Sequence, residues 1–303
     1  MWKYVIPHFE EFLGELELSL LDRNTADGKA DRVAKSLAAK YYPNQDFNPN
    51  WYLKVGSYGK GVAAKPRTDL DMLFILPWHV YPRIEGLFGN RQSQLLQEVK
   101  RALQITFPRT DLRGDGQVVI APFDTYDVEV VPAFRFEDGS FITAHTADGG
   151  SWLISNPLAE YQVISATDSI SAGKATHLIK MLKAWKREWN VEIKSISLEV
   201  LATAFVSQWE YRQQTLYYYD WLMRDFFAFM LQYVNGRTQV RGTQEWIDLG
   251  DCWRAKCQKA YAQALQACQY ERTDEDISAT FEWQRVFATQ FKVNYLRGLL
   301  VGA

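Results

Sequence analysis

Apolar residues recur at helical intervals near the start of the chain. Phe9, Phe12, Leu13 and Leu16 form one stripe and Ala30, Val33, Ala34, Leu37 and Ala38 a second. Two helices are predicted, with the Asn-Thr-Ala-Asp-Gly run at 24–28 as the break between them. From 51 to 141 the period shortens, giving β-type runs at 51–56, 70–76, 117–122, 126–136 and 140–143 and one helical stretch at 93–103. That pattern predicts a mixed sheet with helices on it. After Asp148-Gly149-Gly150-Ser151-Trp152 and Asn156-Pro157 the chain reads as almost entirely helical, with segments at 158–168, 172–189, 195–212, 218–234, 252–270 and 275–298. The fold class is therefore α+β, with residues 1–155 as a sheet-bearing lobe with N-terminal helices and 156–303 as a helical lobe.

Composition supports a folded chain: 47% of the 303 residues are hydrophobic and 15% aromatic, enough for a substantial core. Lys and Arg total 34 against 36 Asp and Glu, a net charge of -2, which argues against a protein that grips long nucleic acid through its overall field. Cys252, Cys257 and Cys268 are odd in number and lack a CxxC pair, which suits reduced thiols and no zinc. The N-terminus carries Glu10 and Glu11 where a secretory signal is apolar, and no apolar run reaches about 18 residues. A cytoplasmic, soluble protein with no membrane segment is expected. His8, His79, His145 and His177 show no triad or metal spacing and read as ordinary.

The strongest chemical signal is Asp69-Leu70-Asp71 at the head of an apolar strand. Side chains alternate along a strand, so the two carboxylates share a face, roughly 6.6 Å apart at the backbone, while Leu70, Met72 and Phe74 bury the other way. Upstream, Gly56-Ser57-Tyr58-Gly59 offers a turn whose backbone can approach phosphate oxygens. Gly56 to Gly61 begins like a P-loop, but Val62-Ala63 stand where Lys and Ser or Thr are needed. Gly59 to Ala64 fits a dinucleotide fingerprint, yet Lys65-Pro66 interrupts where the phosphate-binding helix has to run on. Both readings fail, leaving a turn that contacts phosphate locally.

Two-metal catalysis needs a third acid, and the strand at 126–134 supplies Asp127 and Glu129 on one face. Gly-Ser, Asp-x-Asp and a later acid before Val-Val-Pro-Ala-Phe resemble the nucleotidyltransferases of the DNA polymerase β superfamily. Glu129-Val-Val-Pro-Ala-Phe134, Leu182-Lys183-Ala184-Trp185 and Ser195-Ile196-Ser197-Leu198-Glu199 are similar to motifs of 2′-5′-oligoadenylate synthetases. With Gly149-Gly150-Ser151-Trp152 and Asn156-Pro157 they also resemble the bacterial CD-NTases, enzymes like cyclic GMP-AMP synthase and DncV that make cyclic oligonucleotide signals in anti-phage defence. The resemblance spans roughly residues 50–205.

That resemblance implies a polymerase β-like catalytic lobe, a helical lobe, and an active site in a cleft between them. It implies Gly56 and Ser57 as triphosphate contacts, Asp69 and Asp71 as metal ligands and Glu129 as the third acid, with Asp127 as the alternative. Lys183 and Ser195 match the positions that contact the triphosphate. The cofactors implied are two magnesium ions, or manganese in their place, with ATP and other nucleoside triphosphates as substrates. The partners implied are a downstream effector that senses the product and a regulatory protein; long nucleic acid is not expected.

Each residue also has a plainer reading. An Asp-x-Asp is often a solvated strand face, Lys183 flanks the apolar stripe of its helix, and Ser195 has the spacing of a helix cap. Two other functions stay open: a nucleotidyltransferase that makes linear products or modifies a protein, RNA or small molecule, and a catalytically silent nucleotide-binding module. Retention of Asp69, Asp71 and Glu129 speaks against the second.

Overall fold

A computed structural model of the chain describes residues 1–66, 69–124, 126–243 and 245–292. Helix α1 (Val5–Leu16) is followed by α2 (Leu20–Tyr41), β1 (Tyr52–Lys54), the short α3 (Gly56–Gly59), β2 (Asp69–Ile75), α4 (Val80–Glu85) and α5 (Arg91–Thr106). Then come β3 (Arg113–Asp115), β4 (Val118–Pro122), β5 (Asp127–Arg135), β6 (Phe141–His145) and β7 (Ser151–Ser155). Helices α6 (Pro157–Ser171), α7 (Lys174–Glu188), α8 (Ser195–Gln208) and α9 (Tyr219–Met230) follow, then β8 (Arg237–Gln239), β9 (Trp246–Asp248), α10 (Arg254–Thr273) and α11 (Asp276–Phe287).

The contact pattern separates Leu18–Gln162 from a second unit made of Met1–Glu17 and Val163–Ala303, so the division falls inside α6. The sequence pattern predicts instead a single cut after residue 155, with both early helices on the sheet side. Helix α1 belongs to the helical unit because Phe9 and Phe12 pack on Trp283, Phe287 and Phe291. The break predicted at 24–28 lies inside α2, and the real one is at Ser19, which forms a capping box with Asp22. Beyond the helical prediction, 237–239 and 246–248 pair as a small hairpin. The helix predicted at 275–298 ends at Phe287, and its stretch past 292 lies outside the described residues.

In the sheet-bearing unit the strand order is β1-β2-β5-β4-β3, with β6 on β5 and β7 on β6. Only β2 and β5 run parallel among the described pairs of this sheet. One face carries Leu70, Met72, Phe74, Val128, Val130 and Phe134, closed off by Ala30, Val33 and Leu37 of α2 and Leu95, Val99 and Leu103 of α5. The other face is closed for part of its length by Val55, Leu73, Ala133 and Phe141. Its remainder, at the head of β2 and β5, is where the acids stand.

Candidate active site

The parallel register of β2 and β5 sets Asp69 opposite Asp127 and Asp71 opposite Glu129. Neighbouring strands lie about 4.8 Å apart, so four carboxylates form a two-by-two array on one sheet face. Each is half-buried, between fully buried Leu70, Met72, Val128 and Val130 that point the other way. Alternation along each strand and register between them thus assemble the array with no loop involved.

Charge crowding marks Glu129. Burial, then the negative charges of Asp71, Asp69 and Asp127, and a hydrogen bond with Asp71 raise its pKa to about 7. Among the described residues no group of three or more His, Cys, Asp or Glu is arranged as it stands to hold a metal ion. An all-carboxylate donor set suits hard cations such as magnesium, which take one or two carboxylates and complete their shell with water and substrate phosphate. Burial and then the charge of the neighbouring aspartates push this carboxyl up to about 7, and a bound cation relieves the crowding of charge, so these residues fit the metal that the motif implies.

The glycine-serine turn lies directly against this array. It is a single helical turn, α3, and the Val55 N–H donates to the Asp71 carbonyl at 2.9 Å. Gly56 has φ +58°, and a Cβ there would stand 1.8 Å from Asp71 Oδ2. Gly59 is equally constrained, since its Cβ would meet the Lys54 carbonyl oxygen at 2.1 Å. The Ser57 carbonyl accepts from the Val62 N–H at 2.9 Å and closes the turn.

Lys183 and Ser195 belong to the helical unit. Lys183 Nζ pairs with Glu199 Oε1 at 2.7 Å, with side chains 11% and 5% exposed. Ser195 is the first residue of α8 and does not cap it; the N-cap is Lys194, with no side-chain cap bond. Its Oγ instead accepts from Lys186 Nζ at 3.1 Å. Lys186, one turn along α7 from Lys183, was not singled out by the sequence, and its i+3 spacing from Lys183 is the signal that finds it. The turn's anchor on α2, Asp27, was also missed, because nothing local links it to residues 54–58.

No helix among the described residues is long and apolar enough to cross a membrane. A search of curated proteins returned no match. Among solved structures, Escherichia coli MS115-1 CdnC with ATP is 16% identical, with 95% of this chain and 98% of that one covered at a TM-score of 0.64. The same protein in complex with HORMA-deltaN gives 16% identity, 95% and 98% coverage and a TM-score of 0.66. Escherichia coli DncV in a 3′-deoxy GTP bound form gives 12%, 92% and 94%, and 0.68. The sequence profile of the Second Messenger Oligonucleotide or Dinucleotide Synthetase domain matches residues 4–167, more than half of the chain. With that match over the acid array and its glycine-serine turn, the chain belongs to the Second Messenger Oligonucleotide or Dinucleotide Synthetase family and is a nucleotidyltransferase of the CD-NTase type.

Proposed function

We propose that the protein joins nucleoside triphosphates and closes the product into a cyclic oligonucleotide that serves as a second messenger in anti-phage signalling. The observation that carries this reading is the array of Asp69, Asp71, Asp127 and Glu129 in register on β2 and β5 under the Gly56–Ser57 turn. Asp69, Asp71 and Glu129 would hold magnesium or manganese, which supplies charge neutralisation at the phosphates and acidification of the attacking hydroxyl. Glu129, as the carboxylate, would accept the proton of a ribose hydroxyl. That oxygen bonds to the α-phosphorus of a second nucleotide, the bond to the β-phosphate oxygen breaks, and pyrophosphate leaves. A second transfer of the same kind within the linear product closes the ring.

Gly56 and Ser57 present backbone N–H groups and a hydroxyl to the triphosphate, and Lys183 and Ser195 contact it as the family resemblance implies. CdnC with ATP and DncV with 3′-deoxy GTP support nucleoside triphosphates as substrates. The CdnC complex with HORMA-deltaN supports a regulatory protein partner, and a cyclic product requires an effector that senses it. A cytoplasmic location follows from these substrates.

The test is incubation with all four labelled ribonucleotides and magnesium or manganese, then phosphatase and mass spectrometry. A phosphatase-resistant product lacking terminal phosphates is expected, and it should vanish in Asp69→Asn/Asp71→Asn. Only linear product would overturn cyclisation; unchanged synthesis by the double variant would overturn the metal assignment.

A further inference from the structure

One oxygen on α2 receives both residues that bracket the glycine-serine turn. Asp27 Oδ1 accepts from Lys54 Nζ at 2.7 Å and lies 2.9 Å from the Tyr58 hydroxyl. Lys54 ends β1 and Tyr58 sits inside α3, so Val55, Gly56 and Ser57 lie between two points tied to the same carboxylate. The tie has further strands. Tyr58 Oη is 3.1 Å from the Arg23 carbonyl, Lys54 Nζ lies 5.5 Å from the Tyr58 ring centre, and Tyr52 on β1 donates to Asp31 Oδ1 at 2.5 Å. Asp27 and Asp31 are four residues apart, so they share one face of α2, the face turned to β1 and α3.

We infer that Asp27 is a positioning residue for the reaction: through Lys54 and Tyr58 it fixes the Gly56–Ser57 turn at the height above Asp71 that the triphosphate requires. The role rests on the reading of that turn as a triphosphate site. Backbone donors serve only when held in place beforehand, since misplacement by about 1 Å can cost on the order of 100-fold. Gly56 has no side chain to fix it, and its close approach to Asp71 leaves no room for one. Asp27 therefore adds side-chain anchors to the backbone bonds that close the turn. A role in global stability is separable: Asp27 and Lys54 side chains are 45% and 32% exposed, and pairs that exposed contribute little to folding.

The experiment uses the full chain with Asp27→Ala, Asp27→Asn, Tyr58→Phe and the Asp27→Ala/Tyr58→Phe double variant. Hydrogen exchange across residues 54–62 is read without nucleotide, and KM and kcat for ATP with magnesium. Asp27→Ala is expected to speed exchange in that segment by about tenfold and raise KM by about tenfold, the scale of two lost hydrogen bonds at a part-exposed site, with kcat within about twofold. Asp27→Asn keeps an acceptor for the tyrosine and should recover part of both. The double variant should be no worse than the worse single one. Unchanged exchange in Asp27→Ala, or fully additive effects in the double variant, would overturn the inference while leaving the function standing. No product from the wild type with any nucleotide would instead remove the reading of the turn, and this role with it.

Discussion

Gly56 and Asp71 exclude any side chain between them: a Cβ on Gly56 would lie 1.8 Å from Asp71 Oδ2, and the Gly56 φ of +58° adds backbone strain for other residues. Gly56→Ala must therefore push the turn or the carboxylate aside. Product formation is expected to fall by about 100-fold or more, with the melting temperature little changed. Comparing turnover with thermal melting checks this, and wild-type turnover in Gly56→Ala would contradict the close approach.

Glu129 and Asp127 each stand opposite one member of the aspartate pair, at different rungs. Burial and the neighbouring aspartates raise the Glu129 pKa to about 7. Glu129→Gln is expected to lower the transfer rate by roughly 100- to 10,000-fold, the usual share of a general base, and Asp127→Asn by less than about tenfold. Single-turnover rates under saturating nucleotide decide the order; the reverse order would move the third-acid role to Asp127.

Metal binding should carry a proton signature. Glu129 in the folded state titrates near 7 against an ordinary 4.5, so the unfolded chain gives up this proton first. Its contribution to stability therefore falls as pH rises from 4.5 towards 7 in the absence of cation. A cation needs the carboxylate form, so magnesium binding releases a proton near neutrality and its apparent affinity rises with pH through that range. Magnesium-induced shifts in melting temperature between about pH 6 and 8 measure this; Glu129→Gln should flatten the dependence.

The lysines of α7 should differ in what their loss costs the fold. Lys183→Met removes the ammonium 2.7 Å from buried Glu199 and should cost on the order of 3–5 kcal/mol, whereas Lys183→Met/Glu199→Leu should recover most of it. Lys186→Met, which frees the Ser195 hydroxyl, should leave stability within about 0.5 kcal/mol and raise KM for the triphosphate. Urea melts and ATP titrations separate the two outcomes.

Buried His8 sits between two acids, 2.7 Å from Glu271 Oε1 through Nδ1 and 2.7 Å from Asp276 Oδ1 through Nε2. Burial lowers its pKa, but the bonds to and charges of Glu271 and Asp276 outweigh that and the net shift is upward. The stabilising contribution is full below the ordinary 6.5 and is lost as pH rises through the higher folded value. Nearby, burial foremost and the charge of Glu271 raise Asp220 from 3.8 to about 7, so its contribution to stability falls as pH rises from 3.8 towards 7. Urea unfolding should show stability declining between about pH 4 and 7, less steeply in Asp220→Asn, and declining further above 6.5, less steeply in His8→Gln.

Much of the sheet-bearing unit was legible in the sequence because alternation is a local signal. Asp69-Leu70-Asp71 and Asp127-Val128-Glu129 each announce their face, and the strands at 69–75 and 127–135 fall where the pattern puts them. Register between the two strands was not legible, since it is set by α2 and α5 filling the opposite face. The N-terminal break was misplaced for a related reason: Gly28 reads as punctuation, yet it lies within a helix that starts at a Ser-x-x-Asp cap. Ser195 shows the limit from the other side, because cap spacing is a weak signal and a lysine one helix away holds the hydroxyl.

The alternation of β5 makes catalysis and folding mutually diagnostic. Sliding that strand by one residue along β2 would bring Val128 and Val130 to the acid face and drive Asp127 and Glu129 into the packing of α2 and α5. Such a slip is penalised by the core long before it reaches the chemistry, so no mispaired version of this enzyme persists as a folded, faulty catalyst. Replacement of the acids themselves meets no such check, because their face lies outside that packing. Descendants of this chain can therefore fall silent by single substitutions at Asp69, Asp71 or Glu129 while keeping these strands in place.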